Sequence, residues 1–187
     1  MPKSPFTDLY FRVVKLLESL HRPYIIVGGM ATGVLGEPRL TFDVDAILDL
    51  RTSDVDSVLQ KAREEGFLFD PQSVMEDINQ KGTFRLQHQK SWVDLIVAST
   101  ELERSAFKRS KRVKIIGVEA NFPSPEDFIL FKLIPGRPKD LLDAEAVVLR
   151  QGNKLDQTYL LQWAQRISDE MQDLRVFNAA KRLLNRP

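Results

Sequence analysis

The sequence predicts an α+β protein that opens with intermixed strands and helices and closes in a helical annex. Three observations carry this reading: short β-rich runs stopped by glycine, helices with marked ends between them, and the loss of strand signal after "SPEDF". With 187 residues, 43% of them hydrophobic, the chain can bury one compact core or a small domain with a helical addition. The pattern places the first part at 1–123 and a helical tail, packed on it, at 124–187.

The elements follow in order. From Phe6 to Leu20 the residues Leu9, Val13, Leu16, Leu17 and Leu20 recur at helical spacing, and "HRP" ends the helix. "YIIV" is a short strand stopped by Gly28 and Gly29, and "MATGVL" reads as a short helix with Gly36 as its C-cap. After the turn "GEPRLT" comes the strand "FDVDAILDL". Ser53 with Asp56 resembles a capping box for a helix ending at Gly66, and "FLF" starts another extended piece. "TFRLQHQ" and "WVDLIVAS" read as neighbouring strands, and "KRVKIIGVEANF" as two more. Ser124, Pro125 and Asp127 then combine a cap, an N1 proline and a third-position acid. Helices are predicted near 125–134, 137–150, 156–170 and 172–185.

Composition narrows the chemistry. With 27 basic and 26 acidic side chains the net charge is +1, so no global field draws the chain to nucleic acid or membrane. The absence of cysteine excludes disulfides, thiolate zinc sites and thiol nucleophiles. No apolar run approaches the roughly 18 residues of a spanning helix. The charged N-terminal stretch lacks the apolar region of a signal peptide, so the expected setting is cytoplasmic, without a membrane partner.

Two acids interrupt an otherwise apolar strand. Alternate strand residues share a face, so Asp43 and Asp45 project together, roughly 6.6 Å apart along the chain, while Phe42, Val44, Ala46 and Leu48 face the core. Two such anions repel one another. A divalent cation about 2.1 Å from their oxygens reverses this, and magnesium favours carboxylate together with substrate phosphate. In isolation an Asp-X-Asp marks an exposed strand face. Here Asp94 lies mid-strand as well, and if its strand pairs beside the first, three carboxylates converge, enough for an in-line phosphoryl displacement. Asp49, Asp54 and Asp56, at the strand exit and first helical turn, are read as capping residues. Gly28 and Gly29 fall between strand and helix, where bare backbone N–H groups can cradle phosphate, although such a pair is also an ordinary tight turn.

The stretch "VGGMATGVLGEPRLTFDVDAIL" resembles the core of the DNA polymerase β-like nucleotidyltransferase superfamily. It is more closely similar to the AbiEii-type nucleotidyltransferases, with their Gly-Gly-X-Ala…Gly-X-X-Arg-X-(Ser/Thr)-X-Asp-X-Asp run, matched at Gly28, Gly29, Ala31, Gly36, Arg39, Thr41, Asp43 and Asp45. "FKLIPGRPKDLLDAEAV" is similar to the helix carrying Lys…Arg-X-Lys-Asp-X-X-Asp in those proteins. The resemblance implies a mixed sheet bearing the acids, helices around it, and transfer of a nucleoside monophosphate from a magnesium or manganese NTP to a hydroxyl. It implies Asp43 and Asp45 as catalytic metal ligands, with Asp94 as the third ligand or the base. Gly28, Gly29, Arg39, Thr41, Lys132, Lys139 and Asp140 are the implied nucleotide-binding residues. It also suggests a toxin–antitoxin role, with tRNA, protein or a small molecule as acceptor and a partner protein in a two-component system. Met30 departs from relatives that place a hydroxyl residue after the glycines.

Within "RPKDLLDAEAVV", Lys139, Asp140 and Asp143 fall in one helical turn, either as a solvated helix start or as a lysine reaching a triphosphate oriented by an acid. Lys139 is the first candidate. The phase of Lys132 cannot be carried across "PGRP". Lys108, Arg109, Lys111, Arg112 and Lys114 form a solvated connection or an RNA-tracking patch, and Arg175, Lys181, Arg182 and Arg186 invite the same two readings. His21 and His88 are read as loop and strand-face residues, and Trp92 and Trp163 as core. Two other functions stay open: a non-catalytic nucleotide- or partner-binding regulatory module with the same fold, and a phosphohydrolase using water as acceptor.

Overall fold

The structure, a computed structural model, describes residues 5–37 and 41–185. Its described residues divide into two compact units, one of residues 5–30 and 41–122 and one of residues 31–37 and 123–185. The short segment 31–37 therefore belongs with the C-terminal helices.

In the first unit, α1 (Pro5–Ser19) precedes β1 (Tyr24–Val27), which runs directly into α2 (Gly28–Leu35), a helix whose residues from Ala31 on belong to the second unit. β2 (Val44–Leu48) is followed by α3 (Val55–Glu64) and α4 (Pro71–Lys81). Then come β3 (Thr83–His88), β4 (Ser91–Val97) and α5 (Glu101–Arg109). β5 (Lys111–Ile115) and β6 (Val118–Phe122) pair as a separate antiparallel hairpin.

The main sheet is mixed, in the order β1-β2-β4-β3. β2 is antiparallel to β1 and parallel to β4, and β3 closes the edge antiparallel to β4. On one face Tyr24, Ile26, Val44, Ala46, Leu48, Phe84, Leu86, Val93 and Leu95 are all buried. α1 packs against α3, β2 and β4, contributing buried Leu9, Val13, Leu16 and Leu17 at the predicted helical spacing. Each fully buried leucine or isoleucine contributes about 1.5–3 kcal/mol relative to exposure.

Several local expectations are corrected. α4 is not predicted by the sequence pattern, in which "FLF" reads on as extended chain; Leu68 forms only an isolated bridge to Gln87 before the helix starts. The Ser53–Asp56 capping box does not form, because a 3-10 turn at Thr52–Asp54 precedes α3. Asp54 makes no cap hydrogen bond and instead pairs with Arg22. Phe42 is 63% exposed rather than core, since the regular strand begins only at Val44.

The second unit holds α6 (Pro125–Leu133), α7 (Pro138–Gln151), α8 (Gln157–Met171) and α9 (Arg175–Leu184). The predicted start of α6 forms: Ser124 accepts from the Asp127 N–H, with Pro125 in the first turn. Arg175 donates to the carbonyls of Leu133 and Ile134 at 3.1 and 2.8 Å, satisfying orphan acceptors at the end of α6 rather than joining a nucleic-acid patch. Arg186 lies outside the described residues. Gly36 is not a left-handed cap. A side chain there would crowd Val147 of α7 at 3.1 Å, and the Gly36 carbonyl accepts from Arg150. Among the described residues no helix is long and apolar enough to cross a membrane.

Candidate active site

The parallel register sets Asp45 beside Asp94, and the β3–β4 register sets Asp94 beside Arg85. With Val27 opposite Asp45 on the other side, Val27, Asp45, Asp94 and Arg85 form one row across the sheet. Neighbouring strands lie about 4.8 Å apart and paired residues share a face, so Asp45 and Asp94 occupy adjacent positions on the same face. Asp43, two residues before Asp45, sits just outside the regular strand, and its Oδ1 accepts the Trp92 N–H at 2.9 Å. The sheet thus brings Asp43, Asp45 and Asp94 to one end of the face opposite the core.

Gly28 completes this corner. Its φ of +60° is left-handed, and a Cβ there would overlap the Asp45 carboxylate and come within 2.9 Å of the Asp45 Cβ. Glycine is required for two separate reasons, backbone conformation and contact. Gly29 is buried in the first turn of α2, and Met30 is 7% exposed, so no side-chain hydroxyl faces the turn at that position. Thr41, expected to bind phosphate, donates its hydroxyl to the Asp43 carbonyl at 3.1 Å and so braces the approach to β2. Arg39 lies outside the described residues.

Arg85 is the functional candidate that sequence reading missed. It grips Asp94 with two parallel bonds, Nε to Oδ1 at 2.6 Å and Nη2 to Oδ2 at 2.9 Å. Its guanidinium also lies over the Trp92 ring, 5.3 Å from the centroid. Trp92 is 37% exposed, not core, because β4 begins at the solvent edge; Trp163 is likewise only half-buried, beneath Arg166. The hydrogen bond to Asp94 raises the Arg85 pKa above its ordinary value, partial burial opposes this, and the charges of Asp94, Asp43 and Asp45 add to it. One cation therefore stands in the joint field of all three carboxylates.

Among the described residues no three His, Asp or Glu side chains are gathered closely enough to cage a metal ion as they stand. The donor set still fits a hard divalent cation. It consists of carboxylate oxygens on one sheet face, beside a bare-backbone helix start, with a positive group already drawn among them. The third carboxylate is bound to Arg85 rather than turned to the Asp43–Asp45 pair.

In the second unit, Lys132 of α6 reaches across to α7, with Nζ 3.1 Å from Asp140 Oδ1 and 2.7 Å from Asp143 Oδ2. Arg137 binds the other Asp140 oxygen at 2.6 Å. Burial pushes the Asp140 carboxyl upward, but hydrogen bonds from Arg137 and Lys132 outweigh it and hold the pKa below the usual range. Lys139, the first candidate from sequence, is exposed. The acids orient Lys132 instead, because "PGRP" folds α6 back against α7. His88 is buried at 8% exposure, with Nε2 2.9 Å from Asp8, an anchor between β3 and α1. Arg112 is occupied by Glu18 and Glu119, which leaves Lys108, Lys111 and Lys114 as exposed members of the basic connection.

A four-stranded mixed sheet with carboxylates on adjacent β2 and β4, and a Gly-Gly turn opening a helix after β1, defines a nucleotidyltransferase-type fold. Residues 9–180 match the family described as nucleotidyltransferase of unknown function (DUF6036), and the chain belongs to that family. Solved structures share the architecture. Antibiotic-resistance factor ANT(2'')-Ia, 12% identical, aligns over 92% of this chain and 97% of its own with a TM-score of 0.63. That protein has also been solved in complex with adenylyl-2''-tobramycin. An antigenic nucleotidyltransferase-like protein from Paracoccidioides brasiliensis is 21% identical, with coverage of 92% and 94% and a TM-score of 0.51. JHP933 from Helicobacter pylori is 12% identical, with coverage of 98% and 93% and a TM-score of 0.53. At these identities the likeness is one of fold. A sequence search of curated proteins gave no match. The nucleotidyltransferase assignment expected from the sequence is thereby shown, while neither the family description nor the names of these structures specify the AbiEii type.

Proposed function

We propose that the protein is a divalent-cation-dependent nucleotidyltransferase that moves a nucleoside monophosphate from an NTP to an acceptor hydroxyl. The observation that carries this reading is the Asp45–Asp94 register beside Asp43, closed on the β1 side by a glycine that tolerates no Cβ. Asp43 and Asp45 would hold magnesium or manganese, with Asp94 as third ligand or as base for the hydroxyl. The cation, when bound, neutralises charge on the phosphates and on the attacking and leaving oxygens. Backbone N–H groups at Gly28 and Gly29 orient the triphosphate. The acceptor oxygen bonds to the α-phosphorus, the bond to the β-phosphate bridging oxygen breaks, pyrophosphate leaves, and the hydroxyl proton passes to carboxylate. The contribution of the chain is positioning and electrostatics.

The acceptor belongs to RNA, protein or small molecules. Adenylyl-tobramycin on ANT(2'')-Ia supports including small polyols in the search. A toxin–antitoxin setting with a partner protein and a cytoplasmic location are part of the same proposal. The test incubates each α-labelled NTP with magnesium or manganese, bulk tRNA, cell extract and aminoglycosides, comparing wild type with Asp43→Ala/Asp45→Ala. Label should enter an acceptor only with the acids intact. Orthophosphate release without transfer would instead identify a hydrolase. A second reading, a nucleotide-binding regulatory module, is favoured by the Arg85 grip on Asp94; metal binding without label transfer across the panel would establish it.

A further inference from the structure

We propose that Arg85 is a positioning residue that occupies the cation place beside Asp94 in metal-free protein and leaves it when a divalent cation is loaded, so that metal entry exchanges guanidinium for metal. The inference rests on the function proposed above and adds a residue and an order of events to it. The bidentate bonds to arginine fix the orientation of the Asp94 carboxylate and occupy one lone pair on each oxygen, so rotating it toward a metal breaks at least one of them. Asp94 is that carboxylate, and its register neighbour is Asp45. The same guanidinium rests on Trp92, whose backbone N–H holds Asp43. One side chain thus touches the third acid and the residue that orients the first. Arg85 lies on the edge strand β3, and its side chain is 54% exposed, so it has room to swing outward without disturbing the core. A loaded metal would repel the guanidinium while attracting the acids, so the two cations compete for Asp94.

The stacked indole supplies a readout independent of activity. The chain has two tryptophans, and Trp163→Phe leaves Trp92 as the sole emitter. In that background, magnesium titration should shift the Trp92 emission as Arg85 departs. Arg85→Gln should abolish the shift and bind magnesium about tenfold more tightly by calorimetry, since the competing charge is gone. Arg85→Lys, which keeps the charge but not the fork, should fall between the two. Asp94→Asn, which weakens the grip, should start with the shifted emission, and circular dichroism establishes that each variant is folded. Tighter binding in Arg85→Gln with no emission change in the parent would overturn the exchange and leave only charge repulsion. Equal affinity in both proteins, or loss of binding in Arg85→Gln, would also overturn it while leaving the nucleotidyltransferase reading intact. Failure of both proteins to bind magnesium would overturn the two together.

Discussion

Replacing Gly28 with alanine separates the geometry of the site from the general cost of a left-handed residue. Gly28 and Gly82 have almost the same left-handed φ, +60° and +66°. A non-glycine residue there costs about 1–2 kcal/mol. For a chain of this size each kcal/mol lowers Tm by about 2–4 °C, so the left-handed conformation alone should cost either alanine variant about 2–8 °C. The surroundings differ. A Cβ at Gly82 meets nothing within 4 Å, whereas at Gly28 it meets the Asp45 carboxylate and comes within 2.9 Å of the Asp45 Cβ. Rotating the carboxylate cannot relieve a Cβ–Cβ contact, so the Gly28 turn or the start of β2 must shift. A misplacement of about 1 Å at reacting groups costs on the order of a hundredfold in rate. Differential scanning fluorimetry and label transfer from α-labelled NTP should therefore give a Tm loss in this range for Gly82→Ala with transfer unchanged, and for Gly28→Ala a larger Tm loss together with about a hundredfold lower transfer. Wild-type transfer and wild-type manganese affinity in Gly28→Ala would refute the argument that Asp45 is set by this contact.

Other outcomes follow from the second unit and from the caps. Lys132→Met leaves Asp140 and Asp143 buried without their shared cation and should destabilise by about 3–5 kcal/mol, read by chemical denaturation. Because the Asp140 pKa is lowered in the folded state from its ordinary 3.8, its contribution is present above that value and is lost as pH falls through the lowered one. The Tm of wild type should accordingly drop on acidification below about pH 4, and that limb should be shallower in Asp140→Asn, measured as Tm against pH. Thr100 forms a capping box with Glu103 at the start of α5, so Thr100→Ala should cost about 1 kcal/mol in a denaturation midpoint with transfer unchanged.

Much of the fold was legible because its signals are local. The alternation around Asp43 and Asp45, the Gly-Gly stop after "YIIV" and the Ser124–Pro125 helix start each need only a few neighbouring residues. α4 carried comparable end signals, with Asp70 accepting from Ser73 N–H, Pro71 in the first turn and a left-handed Gly82 at the end. It escaped because Val74 is its only buried residue, leaving little apolar periodicity to recognise. The partner of Asp94 could have been found by arithmetic. His88 pairs with Ser91 across the two-residue connection Gln89–Lys90, and counting back three residues on β3 and forward three on β4 puts Arg85 opposite Asp94. The choice between Lys132 and Lys139 could not be made that way. It depends on how "PGRP" turns α6 onto α7, a tertiary fact that helical phase does not carry across a break.

The central claim is that the carboxylates of Asp43 and Asp45, with Asp94 beside them, serve to hold a divalent cation. Electron paramagnetic resonance of manganese titrated into wild type, Asp43→Asn and Asp45→Asn tests this most directly. The account predicts depletion of the free-ion signal by wild type and its loss in both variants, with Tm nearly unchanged. Undiminished manganese binding in Asp45→Asn, or no binding by wild type, would contradict it.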